Sequence, residues 1–190
     1  LAVLPMSAQQ MIKPKPLQPG DKVVILSPSS TPDESYVVAA EQVLGDWGFV
    51  TQRGEHLLHR VNGNYAGTPQ QRLDDLLSAL NDPDVKTIFC SRGGHGAVQE
   101  IQRLSPEIIR NNPKWLIGFS DITAAHGAWQ SAGVMSIHGP MGAHLQRKQG
   151  TDEESQFLRK MLQGEAVAYS FPGHELNRTG EVTGTLFGGN

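Results

Sequence analysis

The sequence feature that most constrains this chain is an apolar run at 115–117 that stops abruptly at Gly118-Phe119-Ser120-Asp121. A small-residue helical pattern starts directly afterwards, so a strand must enter a helix through a very tight turn. Such a turn restricts the φ/ψ angles of its middle residue and lifts that side chain off the edge of the sheet. The pattern therefore predicts a nucleophile elbow that presents Ser120. The last glycine of the usual hydrolase motif is missing, and a strand end followed by a Ser-Asp helix N-cap explains the same residues equally well.

Strand and helix patterns alternate through most of the chain, with short connections between them. Apolar runs predict strands over 22–27, 49–53, 85–90, 115–118 and 134–138. Helix-start patterns and apolar spacing predict helices over 31–47, with Thr31 as N-cap, over 68–81, from Ser105, over 122–132 and over 152–163. This alternation is typical of βαβ units. The predicted fold is therefore α/β, an open and mostly parallel sheet with helices on both faces.

The domain organisation follows from where this alternation begins and ends. Residues 1–20 are predicted to be an extended lead-in, residues 21–165 an α/β nucleophile domain, and residues 166–190 a linker and the beginning of a β-rich C-terminal domain. That last segment has five glycines in a strand-and-turn pattern. Residues 1–8 are similar to the end of a signal-peptide apolar region, while a frayed terminus explains them as well.

Composition excludes several classes of function. The formal net charge is −3 with acids and bases interspersed, and no basic stripe suits a nucleic-acid surface. No apolar run approaches the roughly 20 residues that span a bilayer. Cys90 is the only cysteine, so an internal disulfide is excluded, and its place at a strand end predicts buried packing.

Four unusual segments are predicted at one edge of the sheet, where ligands bind beyond the carboxyl ends of parallel strands. These segments are Ser27-Pro-Ser-Ser30, Arg92-Gly-Gly-His-Gly96, Gly118-Phe-Ser-Asp121 and His138-Gly-Pro140. Their convergence predicts the functional site more strongly than any one of them does.

The glycine-rich segment suits an anion, because glycines let the backbone approach a ligand closely. A backbone N–H of Gly93 or Gly94, together with that of Asp121, would form a two-donor oxyanion hole above Ser120. The Arg92 guanidinium would bind a substrate carboxylate. Phosphate binding, or a plain turn that opens a helix, remains an alternative for these glycines.

A serine hydroxyl needs a general base to become a nucleophile at neutral pH. His138 ends the strand predicted after Ser120, at the same edge of the sheet, and is therefore a candidate for this base. Histidines at strand ends are, however, more often structural. The side chain of His126 should pack along the helix that leaves the elbow. The Asp121 carboxylate should turn away from Ser120, where it is better suited to cap the helix or to orient neighbouring groups. His56 and His59 lack a third ligand, so no metal site is predicted.

The ordered segments resemble the LD-carboxypeptidase family of serine peptidases, which includes murein tetrapeptide carboxypeptidases and microcin C immunity proteins. The matching segments are Pro19-Gly-Asp-Lys-Val23, Ser27-Pro-Ser-Ser30, Arg92-Gly-Gly-His-Gly96, Ile117-Gly-Phe-Ser-Asp-Ile-Thr123, His138-Gly-Pro-Met141 and Gly184-Thr-Leu-Phe-Gly-Gly-Asn190. One departure is His95, which stands where relatives commonly carry an aromatic residue and could alter substrate contacts. Arg92, His95 and His138 are the expected substrate-binding side chains.

The resemblance implies that Ser120 is the nucleophile of a Ser-Glu-His triad, with Asp121 and the Gly93-Gly94 turn as the oxyanion hole. The family's Glu and His belong to a C-terminal domain after the Gly-Gly-Asn segment, so neither is assigned to a position here, and this polypeptide by itself is expected to be inactive. The implied reaction releases the terminal D-alanine from murein tetrapeptides by hydrolysis of an L,D-peptide bond.

Further properties follow from the same resemblance. The family needs no metal or organic cofactor, commonly forms homodimers, and in its murein-recycling members works in the cytoplasm, whereas a signal-peptide remnant at residues 1–8 would place this chain in the periplasm. Two alternatives stay open: a non-catalytic module that binds a peptide or phosphate, and an immunity-type hydrolase of a peptidyl-nucleotide.

Overall fold

A computed structural model of the chain describes residues 11–184 and residue 189. The signal-peptide-like segment at 1–8 and most of the Gly184–Asn190 motif lie outside the described residues. The elements follow one another in a β/α order: β1 (Lys22–Leu26), α1 (Glu34–Asp46), β2 (Val50–Arg53), α2 (Pro69–Asn81), β3 (Val85–Cys90), α3 (Val98–Ile101), α4 (Pro106–Asn111), β4 (Trp115–Gly118), α5 (Thr123–Ser131), β5 (Ile137–His138), α6 (Gly142–Lys148) and α7 (Glu153–Leu162).

The five strands form one parallel sheet in the order β2-β1-β3-β4-β5. Strand order reverses between β1 and β3, which opens a crevice at their carboxyl ends. Helices cover both faces, which confirms the α/β prediction. The core on one face contains side chains of α2 to α5, and the core on the other contains side chains of α1, α6 and α7.

Alternate strand residues reach opposite cores, as the pleat of a strand requires. In β1, Val24 and Leu26 pack in the first core, while Val23 and Ile25 pack in the second. Because both faces are covered, the central strands read as continuous apolar runs in the sequence. Leu17 of the lead-in packs in the second core, and its N–H donates to the carbonyl of Leu162.

Several predicted boundaries are corrected by long-range contacts. Thr31 is not the N-cap of α1, which begins at Glu34 after Asp33, because the Thr31 hydroxyl donates to the carbonyls of His59 and Tyr65. Strand β5 is shorter than 134–138, since Val134 forms an isolated bridge with Ile12. Helix α6 was not predicted, and α3 was anticipated only in the alternative in which the glycine-rich turn opens a helix. The capping box of α2 at Thr68 and the Asp152 N-cap of α7 match the sequence pattern.

The segment after α7 differs from its prediction. Residues 166–184 contain no strand or helix, so the predicted strands are wrong for this described part of the chain. The β-rich C-terminal domain stays a prediction. No helix among the described residues has the length and apolar character needed to cross a bilayer.

Candidate active site

The elbow at the end of β4 has the strained geometry that the sequence predicts. Phe119 is extended, and Ser120 has a φ of +62°, in the left-handed region that residues other than glycine rarely adopt. A short 3-10 turn, Ser120–Ile122, leads directly into α5. Gly118 is needed because a Cβ there would lie 2.9 Å from Cγ2 of Ile122. Ser120 as a whole residue is half-buried.

The glycine-rich turn after β3 packs directly against the elbow. A Cβ built on Gly93 would lie 3.0 Å from Cβ of Ser120 and 3.3 Å from its Oγ. Gly94 has a φ of +121°, and a Cβ there would overlap the buried hydroxyl of Ser30. The turn is therefore closed in on two sides, by the elbow at Gly93 and by Ser30 at Gly94. The donor roles of Gly93, Gly94 and Asp121 remain predictions.

The Asp121 carboxylate connects three loops of the site. Its Oδ2 accepts hydrogen bonds from Oγ of Ser29 at 2.6 Å and from the backbone N–H of Ala97 at 2.9 Å. Ser29 follows β1, and Ala97 is the N-cap of the short helix α3 after the glycine turn. The carboxylate therefore links the elbow to the two neighbouring loops. The contribution of the Asp121 N–H to the oxyanion hole stays a prediction.

A buried ion pair that sequence reasoning missed lies beneath the glycine turn. Arg72 of α2 and Glu100 of α3 are both fully buried, and Nη2 of Arg72 lies 3.0 Å from Oε2 of Glu100. Arg72 also donates to the carbonyl of Gly67 at 2.7 Å and to Oε1 of Gln99 at 2.9 Å. Burial raises the pKa of Glu100 to about 7, against the opposing effect of Arg72. The sequence contained one signal that could have predicted this pair: Arg72 lies four residues before Leu76 and therefore on the apolar face of α2.

Comparison with known proteins shows the family to which the chain belongs. The family model described as the LD-carboxypeptidase N-terminal domain matches residues 23–139, which include the glycine turn and the elbow. The chain belongs to the LD-carboxypeptidase family.

Curated relatives support this assignment. A carboxypeptidase homologue from Synechocystis sp. is 35% identical over 185 residues, which cover 96% of this chain and 59% of that protein. The murein tetrapeptide carboxypeptidase of Pseudomonas aeruginosa is 35% identical over 130 residues, which cover 67% of this chain and 42% of that protein. The chain thus spans about three fifths or less of the length of these relatives.

Solved structures share the fold. An MccF-like protein from Bacillus anthracis has a TM-score of 0.71 and 26% identity, covering 80% of this chain and 47% of its own. The muramoyltetrapeptide carboxypeptidase from Oxalobacter formigenes has a TM-score of 0.57 and 25% identity, covering 64% of this chain and 40% of its own.

The three predicted substrate-binding side chains of this LD-carboxypeptidase domain lie at different depths. Arg92 is half-buried, and its Nη1 donates to the carbonyl of Thr31 at 3.2 Å. His95 is exposed, with its ring 4.8 Å from that of Tyr65. His138 is exposed at the end of β5, with its ring 6.1 Å from that of Phe119. Their contacts with substrate stay predictions.

His126 and His56 have hydrogen-bond partners away from the Ser120 side chain. His126 is buried, with Nε2 2.9 Å from the carbonyl of Gly118 and Nδ1 2.8 Å from Oγ of Ser136. Burial lowers the pKa of His126, which favours the neutral imidazole. Both of its ring nitrogens have partners. Nδ1 of His56 lies 2.8 Å from the Asp75 carboxylate.

A cavity of about 310 Å³ opens on the β5 side of the elbow. Its lining includes Phe119 and His138, together with His144 and Glu154. Nε2 of His144 lies 2.8 Å from the carboxylate of Asp152, the N-cap of α7. Burial opposes ionisation of Asp152, but hydrogen bonds from Ser155 and His144 outweigh it and hold the pKa of Asp152 well below its usual value.

Proposed function

We propose that this chain carries the nucleophile domain of a serine carboxypeptidase that releases the terminal D-alanine of murein tetrapeptides by hydrolysing an L,D-peptide bond. One observation supports this more than any other: Ser120 stands at a positive φ between a strand and a helix, with the Gly93 backbone against its side chain. The names of curated relatives, murein tetrapeptide carboxypeptidase among them, agree with this substrate class.

The chemistry follows from these parts. Oγ of Ser120 attacks the scissile carbonyl carbon, and its proton passes to the triad histidine that the family places outside these residues. The oxyanion that forms accepts hydrogen bonds from the Asp121 N–H and from the Gly93-Gly94 turn. Collapse expels D-alanine, which takes the proton, and leaves an acyl-enzyme on Ser120. Water, deprotonated by the same histidine, then hydrolyses the ester.

Replacement of Ser120 with Ala in the full-length gene product tests the proposal. D-alanine release from a synthetic tetrapeptide should fall by about 10³-fold or more, because the covalent intermediate can no longer form. Ser35→Ala, an exposed position at the start of α1, is the matched control and should keep its turnover. Unchanged release by Ser120→Ala would show that the nucleophile is elsewhere.

An immunity-type hydrolase of a peptidyl-nucleotide is the second candidate, because solved structures with this fold include MccF-like proteins. Turnover of a murein tetrapeptide and of a peptidyl-nucleotide, measured side by side, distinguishes the two. Saturable binding of either compound without product would instead indicate the non-catalytic module.

Two properties of the whole protein are proposed from the family resemblance. We expect a homodimer, which light scattering of the full-length gene product would detect as twice the chain mass. We expect a cytoplasmic protein, and recovery in the periplasmic fraction of cells would instead support the signal-peptide interpretation of residues 1–8.

A further inference from the structure

Arg72 connects three segments that are separated in the sequence. Its Nη1 donates to the carbonyl of Gly67, at the end of the loop between β2 and α2, at 2.7 Å. Its Nη2 donates to the carbonyl of Gly96, at the end of the glycine turn, at 3.5 Å, and to Oε2 of Glu100 on α3 at 3.0 Å. Because a guanidinium is planar and its N–H directions are fixed, these bonds set the positions of the three segments relative to one another.

Tyr65 contacts the same end of the glycine turn. A Cβ built on Gly96 would lie 2.7 Å from Cε1 of Tyr65 and 3.5 Å from Nη2 of Arg72, so the Gly96 backbone lies against both side chains. The centre of the Tyr65 ring lies 5.3 Å from Cζ of Arg72, a cation–π contact, and 4.8 Å from the centre of the His95 ring. The Tyr65 carbonyl accepts a hydrogen bond from the Thr31 hydroxyl at 3.0 Å, which fixes this residue to the loop after β1.

The glycine turn needs such contacts because its own residues constrain it weakly. Gly94 and Gly96 have φ angles of +121° and +110°, and glycine adopts many other angles as readily. At the elbow end of the turn, the Ser30 N–H donates to the carbonyl of Gly93 at 3.3 Å. A trans peptide points its N–H away from its carbonyl, so this bond also sets the direction of the Gly94 N–H. That direction therefore depends on contacts at both ends of the turn.

Stability alone does not explain why Arg72 and Glu100 are buried as charges. Taking two charges out of water costs so much free energy that apolar side chains of similar volume are often as stabilising as a buried ion pair. Apolar side chains do not supply the N–H donors that bind the carbonyls of Gly67 and Gly96. The pair is therefore suited to orient the glycine turn.

We propose that Arg72 and Tyr65 are positioning residues for hydrolysis at Ser120. They fix Gly96, so that the N–H groups of the glycine turn are directed at the oxyanion before the substrate arrives. Neither side chain contacts the reacting atoms, and both act through the turn. The proposal rests on the proposed function of Ser120 and of the oxyanion hole.

Variants of the full-length gene product test this role. Arg72→Met/Glu100→Leu removes both charges, so no buried carboxylate is left without its partner. Its kcat for D-alanine release should fall about tenfold or more while KM changes less than about twofold, because a misdirected donor weakens binding of the transition state alone. Tyr65→Leu should behave in the same way. Tyr65→Phe keeps the ring and should retain the wild-type kcat.

Leu44→Ala is the control for lost stability, because Leu44 is fully buried in the core on the other face of the sheet. It should lower the free energy of unfolding and leave kcat and KM of the folded protein unchanged. Hydrogen exchange supplies a readout that does not depend on activity. In Arg72→Met/Glu100→Leu and in Tyr65→Leu, the amides of 93–97 should exchange about tenfold faster or more, while those of β1 keep their wild-type rates.

Three results would overturn the proposal and leave the carboxypeptidase intact. The first is a wild-type kcat in Arg72→Met/Glu100→Leu or in Tyr65→Leu. The second is a loss confined to KM, which would place these side chains in substrate binding. The third is an equal loss in Tyr65→Phe and Tyr65→Leu, which would assign the effect to the hydroxyl.

Failure of the proposed function itself gives a different signature. In that case the wild type releases no alanine, or Ser120→Ala releases it as fast as the wild type does. Hydrogen exchange then tests the contacts with the turn by itself. Wild-type exchange rates at 93–97 in both altered proteins overturn the positioning role, and faster exchange confined to the turn supports it.

Discussion

Gly93 approaches Ser120 so closely that a Cβ on the glycine would lie 3.0 Å from the Ser120 Cβ. Gly93→Ala should therefore push the elbow away from the glycine turn and disturb the oxyanion hole. We expect kcat for D-alanine release to fall by about 10²-fold, the loss typical of one misplaced oxyanion donor, with a smaller change in KM. Steady-state kinetics of the full-length gene product measure this effect.

The matched control is Gly127→Ala on α5, where a Cβ would meet no atom within 4 Å. That change should keep kcat and raise the free energy of unfolding by about 0.5–1 kcal/mol, because alanine favours a helix interior over glycine. If Gly93→Ala kept the wild-type kcat, the glycine turn would not contribute to the oxyanion hole.

We expect the Asp121 carboxylate to affect catalysis indirectly, by holding the loops that contain Ser29 and Ala97 in position. Asp121→Ala leaves the buried Ser29 hydroxyl and the Ala97 N–H without their acceptor, which should lower the free energy of unfolding by about 1–3 kcal/mol and also lower kcat. Asp121→Asn keeps an acceptor oxygen and should restore most of both quantities. Chemical unfolding and kinetics of the two variants measure these effects. An asparagine variant as impaired as the alanine variant would mean that the negative charge itself is required.

The sequence was sufficient for the features that depend on local pattern. The strands are apolar runs covered on both faces, and α2 begins with a capping box at Thr68, so both could be read from neighbouring residues. The elbow at Ser120 was predictable for the same reason, because the stop of β4 and the start of α5 are adjacent in the chain.

Features set by distant residues could not be read in this way. The start of α1 depends on hydrogen bonds from Thr31 to carbonyls 28 and 34 residues away. The Arg72–Glu100 pair joins residues 28 positions apart, on helices whose packing no local pattern specifies. The contact between His144 of α6 and Asp152, the N-cap of α7, depends on how the two helices pack, and α6 had no recognisable start signal.

The Cys90 thiol should be unreactive in the folded protein. It is fully buried at the end of β3, and burial raises its pKa, so neither the thiolate nor a path to it is available. Iodoacetamide at pH 8 should leave Cys90 unmodified under native conditions and modify it fully in denaturant, as read by peptide mass spectrometry. Rapid native labelling would indicate that this end of β3 opens to solvent.

The Arg72–Glu100 pair should make stability depend on pH near neutrality. Burial raises the pKa of Glu100 from 4.5 to about 7, so between these values the folded state holds a proton that the unfolded state has lost. The contribution of Glu100 to stability is therefore fully present below pH 4.5 and is lost as the pH rises through 7. Chemical unfolding at pH 5, 6, 7 and 8 should show this decline.

The variant that isolates this effect is Glu100→Gln, which keeps the shape of the side chain and removes the titration. It should flatten the decline between pH 5 and pH 8, whatever its stability at any single pH. Glu107→Gln on α4, an exposed carboxylate, should keep the wild-type slope. If Glu100→Gln loses stability with pH as steeply as the wild type does, the ionised Glu100 is already paired with Arg72 at pH 5, and the decline has another source.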